Sequence, residues 1–281
     1  MNKWAGLLLM ICMCAIILFT GACYSSDKVV RLSDRKVISF QQMIDEIAAR
    51  RIIIVGENHD DPEHHEAQLA VIKALRRTKR PMAVGMEMFP AESQPHLDRW
   101  VAGQTAQQDF IRHYYRNWQM PWPLYRDILL YVRDKRIPLL GINVPGRLTK
   151  RVAAEGFAAL SEEEKRRLPP DITCDVDPAY MAFIRRAYRA HDSNMKTFVH
   201  FCEAQKLWNR SMAWYLVRYL EKNPDRTVVV VAGAGHALKR AIPAEVSDLS
   251  KFSTTVILPQ MDDVPVSAID EKEADYLLLR R

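Results

Sequence analysis

An α/β fold, with a mostly parallel sheet flanked by helices and a helical insertion between the third and fourth core strands, is what this chain of 281 residues predicts. Three observations carry the expectation. Two aliphatic runs, Ile52-Ile53-Ile54-Val55 and Val228-Val229-Val230-Val231-Ala232, are β-branched and continuous, as suits strands buried on both faces. Each closes on a Gly-x-x-His segment, Gly56-Glu57-Asn58-His59 and Gly233-Ala234-Gly235-His236. Strand and helix patterns alternate between them with long crossovers, the signature of parallel pairing.

Taken in order, Met1 to Ala22 has one basic residue, an apolar stretch from Leu7 to Phe19, and then Thr20-Gly21-Ala22-Cys23. The stretch falls short of the roughly 20 residues a bilayer needs, so residues 1–22 read as an export signal. Small residues before Cys23 suit a lipobox, although Thr20 stands where leucine is usual, and cleavage there makes Cys23 the lipid-bearing first residue. Residues 23–36 then form a polar tether and 37–281 a single α/β domain. Ser39 to Ala49 patterns as a short helix. Ile52 to Val55 is the first core strand, and Asp61-Pro62 caps a helix running to about Arg77. Met82 to Met88 is the second strand, followed by helical patterns over Ser93–Val101, Gln107–Tyr115 and Leu124–Lys135. Pro138 to Val144 is the third strand. From about 147 to 223 only helical spacing appears, and this is the insertion. Thr227–Ala232 and Thr254–Leu258 follow as strands, and Ala274–Leu279 is ambiguous, with a closing edge strand one reading.

Composition narrows the function. The net charge of +6 becomes +5 once Lys3 leaves with the leader, and Lys and Arg are spread through helical segments. No concentrated basic stripe supports nucleic-acid binding. Of five cysteines, Cys12 and Cys14 lie in the leader and Cys23 at its end, so Cys174 and Cys202 either pair or stand as separate thiols. Gly-x-Ser-x-Gly, Walker and dinucleotide fingerprints are absent, as is His-Glu-x-x-His.

The chemistry concentrates at Gly56 to His65, where three histidines and four carboxylates fall within ten residues at a strand end and helix start. Imidazole and carboxylate suit first-row divalent metals, and such groups are costly to bury without partners. The position of His59 at a strand end, repeated at His236, favours a site over packing. For His64 and His65, each taken alone, a packed or surface role is favoured over a place in the site. Glu87, framed by Met86, Met88 and Phe89, must reach a cation, a donor or water and is expected in the same crevice. Asn143 and Arg147 follow the third strand, and the Arg147 fork suits a carboxylate or propionate. Glu57, His59, Glu87 and His236 are therefore candidates for a divalent metal ion or for hydrolytic catalysis. His59 as general base without metal is a further alternative. In the insertion, Gln205, Trp208, Met212, Tyr215 and Tyr219 share one helical face, which suits packing on the sheet or the wall of a flat apolar pocket. Tyr180, Tyr188 and His191 also share a face. The loop Trp118 to Tyr125 suits either a lid or an aromatic anchor.

The segments GENHDDPEHHEAQ, GMEMF, QKLWNRSMA and AGAGHA, with the lipobox-like leader, resemble the ChaN family of haem-binding lipoproteins linked to iron uptake. The wider group includes the Tiki proteases and erythromycin esterases, which share paired histidine motifs on a similar core. The resemblance implies haem as ligand, pairs of haems held between two protomers, and a tyrosine on the iron. Candidate haem contacts are His59, His64, His65, Arg147, Tyr180, Tyr188, Trp208 and His236. It also implies an exported, membrane-anchored lipoprotein facing the periplasm or cell surface, a homodimer when haem-bound, and a haem-uptake receptor as partner.

Overall fold

The computed structural model describes residues 28–170, 172–187, 195–262 and 264–280. The leader, Cys23, Tyr188 and His191 lie outside the described residues. In chain order the elements are β1 (Val29–Arg31), β2 (Lys36–Ile38), α1 (Phe40–Ile47), β3 (Ile52–Val55), α2 (Pro62–Arg77), β4 (Met82–Pro90), α3 (Gln94–Val101), α4 (Gln107–Asn117), α5 (Trp122–Asp134) and β5 (Leu139–Asn143). They continue as α6 (Gly146–Glu155), α7 (Glu162–Lys165), α8 (Pro178–Ala187), α9 (Met195–Lys222), β6 (Thr227–Val231), α10 (Ala234–Ala237), α11 (Ile242–Leu249), β7 (Thr254–Pro259) and β8 (Tyr276–Leu278).

The eight strands form one sheet in the order β2-β1-β8-β7-β3-β6-β4-β5. Pairings from β8 to β5 are parallel, and β1 joins antiparallel to both β2 and β8. Strand alternation sorts the core into two layers. Ile53 and Val55 pack with Met43 and Ile47 of α1, Val71 and Leu75 of α2, and Leu129 of α5. Ile52 and Ile54 face Leu216 and Leu220 of α9 and Ile242 of α11. Both helix starts expected before these layers are capped: Ser39 forms a capping box with Gln42, and Asp61 accepts the Glu63 amide ahead of Pro62.

The structure departs from the sequence expectation in two places. Residues 29–38, expected within or just after the tether, form a hairpin whose first strand is bonded to the sheet, with Val29 and Leu32 buried. Only three residues pair in each strand, too short for periodicity to register. The ambiguous C-terminal segment is a strand, yet β8 lies inside the sheet because β1 covers its outer side. Cys174 and Cys202 are buried free thiols, which settles the alternative of a bridge between them. No helix of the described residues is long and apolar enough to cross a membrane.

Candidate functional site

Neighbouring strands β3, β6 and β4 end side by side, and their carboxyl ends bring His59, His236 and Glu87 together. Level pairing of Met86 with Val231 sets Glu87 beside the turn that follows β6. The Gly233 amide donates to Glu87 Oε2 at 2.7 Å, and His236 Nε2 lies 3.6 Å from Glu87 Oε1. Opposite, the His59 ring lies against the same glycine: a Cβ at Gly233 would sit 2.8 Å from His59 Cε1 and 3.0 Å from Nε2. Glycine is required there because an imidazole occupies the space of a side chain. The two turns are also joined through backbone, Ala234 N–H donating to the Glu57 carbonyl at 2.8 Å.

Each histidine is oriented from behind. Glu57 Oε1 accepts from His59 Nδ1 at 2.8 Å and from the Tyr125 hydroxyl at 2.5 Å. His236 Nδ1 is 2.7 Å from Asn209 Oδ1, an acceptor, so this ring donates from Nδ1 and turns Nε2 toward Glu87. Asn209 in turn donates to the Tyr180 hydroxyl at 3.4 Å. Trp118 meets the His59 ring edge-on at 4.9 Å, and Trp208 meets His236 at 5.7 Å. Above lies a cleft of about 520 Å³ walled by Met88, Trp118, Met120 and Trp208, with Arg116, Arg147 and Lys150 among its lining.

A family model described as haem-binding uptake, Tiki superfamily, ChaN matches residues 43–246. The chain belongs to the ChaN family. ChaN of Campylobacter jejuni, whose structure shows cofacial haem binding, superposes with a TM-score of 0.71 over 89% of this chain and 95% of that one at 21% identity. An erythromycin esterase mutant in its open conformation superposes with a TM-score of 0.52 over 89% and 81% at 13% identity. Both likenesses speak to the fold. RETICULATA-RELATED 5, a chloroplastic protein of Arabidopsis thaliana, is 23% identical over 228 residues, 74% of this chain and 31% of that protein. The chain thus spans about a third of that relative's length.

Within this ChaN fold the electrostatics separate the groups. Burial alone would raise the Glu57 carboxyl, but the hydrogen bond to His59 and the attraction of His65 outweigh it and hold Glu57 at about 2. Burial works against a charged His59, yet its bond to Glu57 and the nearby Glu87 and Asp60 charges lift it above the ordinary imidazole value. His236 moves the other way, since its burial outweighs the pull of Glu87 and the charge of His59 adds to the effect. The site therefore pairs an imidazole inclined to hold a proton with one inclined to stay neutral.

Several expected ligands fall elsewhere. Glu57 sits behind His59, its Oε1 taken up by Tyr125 and His59 and its Oε2 3.1 Å from the His65 ring without a hydrogen bond, so it does not converge with Glu87 and His236. Among the described residues no three His, Cys, Asp or Glu side chains are placed to hold a metal ion, and the four-residue divalent-metal set is not assembled. His64 is buried beneath the turn, where Nδ1 accepts the Asn58 amide at 2.9 Å and Nε2 faces the Gln260 carbonyl at 3.2 Å. It shapes the loop that carries His59 and does not reach the cleft. His65 is buried against the Tyr125 ring at 4.4 Å. Tyr180 lies behind His236, where its hydroxyl accepts from Asn209 and burial raises its phenol. Arg147 and Trp208 do line the cleft, Arg147 facing Glu92 at 3.7 Å. Asn143 also lines it, but its side chain holds the Glu87 carbonyl and the Val144 amide.

Sequence reasoning passed over Tyr125 and Asn209 as working residues. Tyr125 closed the loop noted for its aromatic content, and Asn209 stood in QKLWNRSMA one position off the apolar stripe. A polar residue repeated on the buried side of a long helix, Gln205 then Asn209, is the signal that was available.

Proposed function

We propose that this protein binds haem in the cleft over the β3-β6-β4 edge and serves to capture or hand on haem as an exported, lipid-anchored protein. The observation that carries the reading is the pairing of apolar, aromatic walls with three basic side chains in a ChaN-family fold: Met88, Trp118, Met120 and Trp208 can face a flat ring, while Arg116, Arg147 and Lys150 can pair with propionates. His59 Nε2 is the imidazole nitrogen placed to meet iron, because Nδ1 is committed to Glu57 and the His236 ring is buried. A carboxylate behind the ring fixes its tautomer and raises its basicity, as it does for metal-bound histidines generally.

Hemin titration of a soluble chain starting after Cys23 is expected to give a saturable Soret shift, and no shift with no stoichiometric uptake refutes the reading. His59→Ala is expected to change spin state and Soret position. An unchanged spectrum instead assigns iron to another residue, with tyrosine the family expectation. Two copies closing over paired haems predict a hemin-dependent doubling of mass in sedimentation. Mass spectrometry of the membrane-extracted chain tests acylation at Cys23, and crosslinking in cells tests a receptor partner.

A second reading has its own observation: the Tyr125–Glu57–His59 chain orients an imidazole and raises its basicity, so that its neutral form can act as a general base without a metal. It predicts ester hydrolysis that survives chelator and disappears in His59→Ala. Activity lost with chelator and restored by metal would exclude it.

A further inference from the structure

A second cavity, of about 340 Å³, opens between α3 and α4 on the far side of Arg116 from the haem-type cleft. Its chemistry is unlike that of the cleft. Arg99, Arg112 and Arg116 all line it, together with His96 and His113, and the one carboxylate in its wall is Asp109. Asp109 is already committed to Arg112 through a short ion pair within α4. Among the described residues Arg99 and Arg116 have no carboxylate within ion-pairing distance, and the Arg99 hydrogen bond goes to His96 Nδ1 at 2.9 Å. Three guanidinium charges against one carboxylate leave a cavity with a formal excess of two positive charges before either imidazole is protonated.

Local backbone adds to this field. Helix α4 begins after Ala106, a residue with no side chain to cap it, and Thr105 and Ala106 both line the cavity. Its first amides therefore lack the usual oxygen acceptor at the positive end of an eleven-residue helix. His113 and His96 stack at 4.2 Å, and the Phe89 ring lies parallel to His113 at 6.1 Å. The arginines are solvent-exposed, so water screens their mutual repulsion, and their forks and the uncapped helix start remain open to an anion.

From this arrangement we propose a second ligand site, in which the cavity between α3 and α4 binds a multiply charged oxyanion of the phosphate class. Arg99 and Arg116 supply bidentate forks, and the α4 amides supply donors to the remaining oxygen. Arg116 lines both the cleft and this cavity, and the remaining residues of the cavity take no part in the haem reading or the hydrolytic one. The phosphate can be free or part of a lipid headgroup, and the shared chemistry is the phosphoryl oxygen set.

His113 offers a readout inside the cavity. Burial, helped by His96, Arg116 and Arg99, pushes this imidazole down to about 4. A bound anion cancels that repulsion, so the His113 midpoint, followed by imidazole NMR in the purified protein, is expected to rise by about one pH unit when inorganic phosphate replaces chloride at equal ionic strength. Arg99→Gln is expected to weaken phosphate binding roughly tenfold, the loss of one charge-assisted fork. Arg99→Lys should recover part of that loss. His113→Gln, which keeps the arginines, should retain binding measured by calorimetry. A soluble short-chain phosphatidic acid that displaces phosphate at lower concentration assigns a headgroup, whereas weaker binding than phosphate assigns the free ion. An equal shift in chloride and phosphate, or calorimetric binding unaffected by Arg99→Gln, overturns the proposal.

Discussion

His59 illustrates how one side chain acquires its chemistry from three others. Glu57 anchors Nδ1, the absence of a Cβ at Gly233 makes room for the ring, and Trp118 closes one edge. Replacing Glu57 with glutamine keeps an acceptor but removes the charge that favours imidazolium. The His59 midpoint is therefore expected to fall in an NMR titration of Glu57→Gln, and the buried Tyr125 and His65 contacts to weaken at a cost of about 1–3 kcal/mol in urea unfolding. A midpoint left where it was would show that Glu57 does not set the proton affinity of His59. Gly233→Ala makes a separate prediction, because its methyl enters the space of the His59 ring, well inside normal contact distance. Since the partly exposed ring can yield only by giving up its Glu57 bond, stability should drop by about 1–3 kcal/mol while hemin uptake and the His59 resonances change markedly. Unaltered resonances would mean the ring is not seated on the glycine.

Among the elements, α9 was legible in part. The stripe from Gln205 to Tyr219 does face inward, with Trp208, Met212, Tyr215 and Tyr219 in the layer over the sheet. The buried face is wider than the stripe, for Ala213, Leu216 and Leu220 are fully buried as well. Spacing identified a face but could not give its width, which depends on how many elements pack around the helix. Here α6, α11 and β5 all press on α9. Leu216→Ala is expected to cost about 2–5 kcal/mol in chemical unfolding, with the upper part of that range if the neighbours cannot close the gap. The Asp61 cap and the Pro62 start of α2 were readable for the opposite reason, since capping is decided by adjacent residues. The hairpin of β1 and β2 was not, because three-residue strands carry too little pattern and β1 is placed by distant partners, β8 beside it and α1 packed on it.

At the scale of the molecule, that hairpin covers the sheet side of β8 that would otherwise offer unpaired backbone. A chain starting at Phe40 is expected to lose solubility and unfolding cooperativity relative to one starting at Lys28, as measured by light scattering and urea titration. Equal behaviour of the two would make the N-terminal segment a dispensable tether. Acid dependence is also a property of the whole fold. His236 and His64 have folded midpoints below 6.5, so the unfolded chain takes up protons first and stability is lost as pH falls below that value. His59 has the opposite sign: its contribution is complete below 6.5 and is lost as pH rises through its elevated folded midpoint. Glu57 contributes above the ordinary carboxyl value of 4.5, and that contribution disappears as pH falls toward about 2. The urea midpoint should accordingly be lower at pH 5 than at pH 7.5, and His236→Gln should flatten that difference. A profile as steep in the variant would place the acid sensitivity elsewhere.

Local chemistry was written in the sequence: the aliphatic runs that become β3 and β6, the glycine-led turns after them, the cap of α2, and the residues His59, Glu87 and His236 as candidates. Each follows from neighbours a few positions away, through period, capping or the need to compensate a polar group. What the tertiary structure decided is the order β7-β3-β6-β4, which inserts a late strand between two early ones and brings the two turns within reach of one carboxylate. Strand order arises from long-range packing of whole layers, to which periodicity is blind, and the same packing turned Glu57, His64 and His65 inward as supports while recruiting Tyr125 and Asn209 from distant helices.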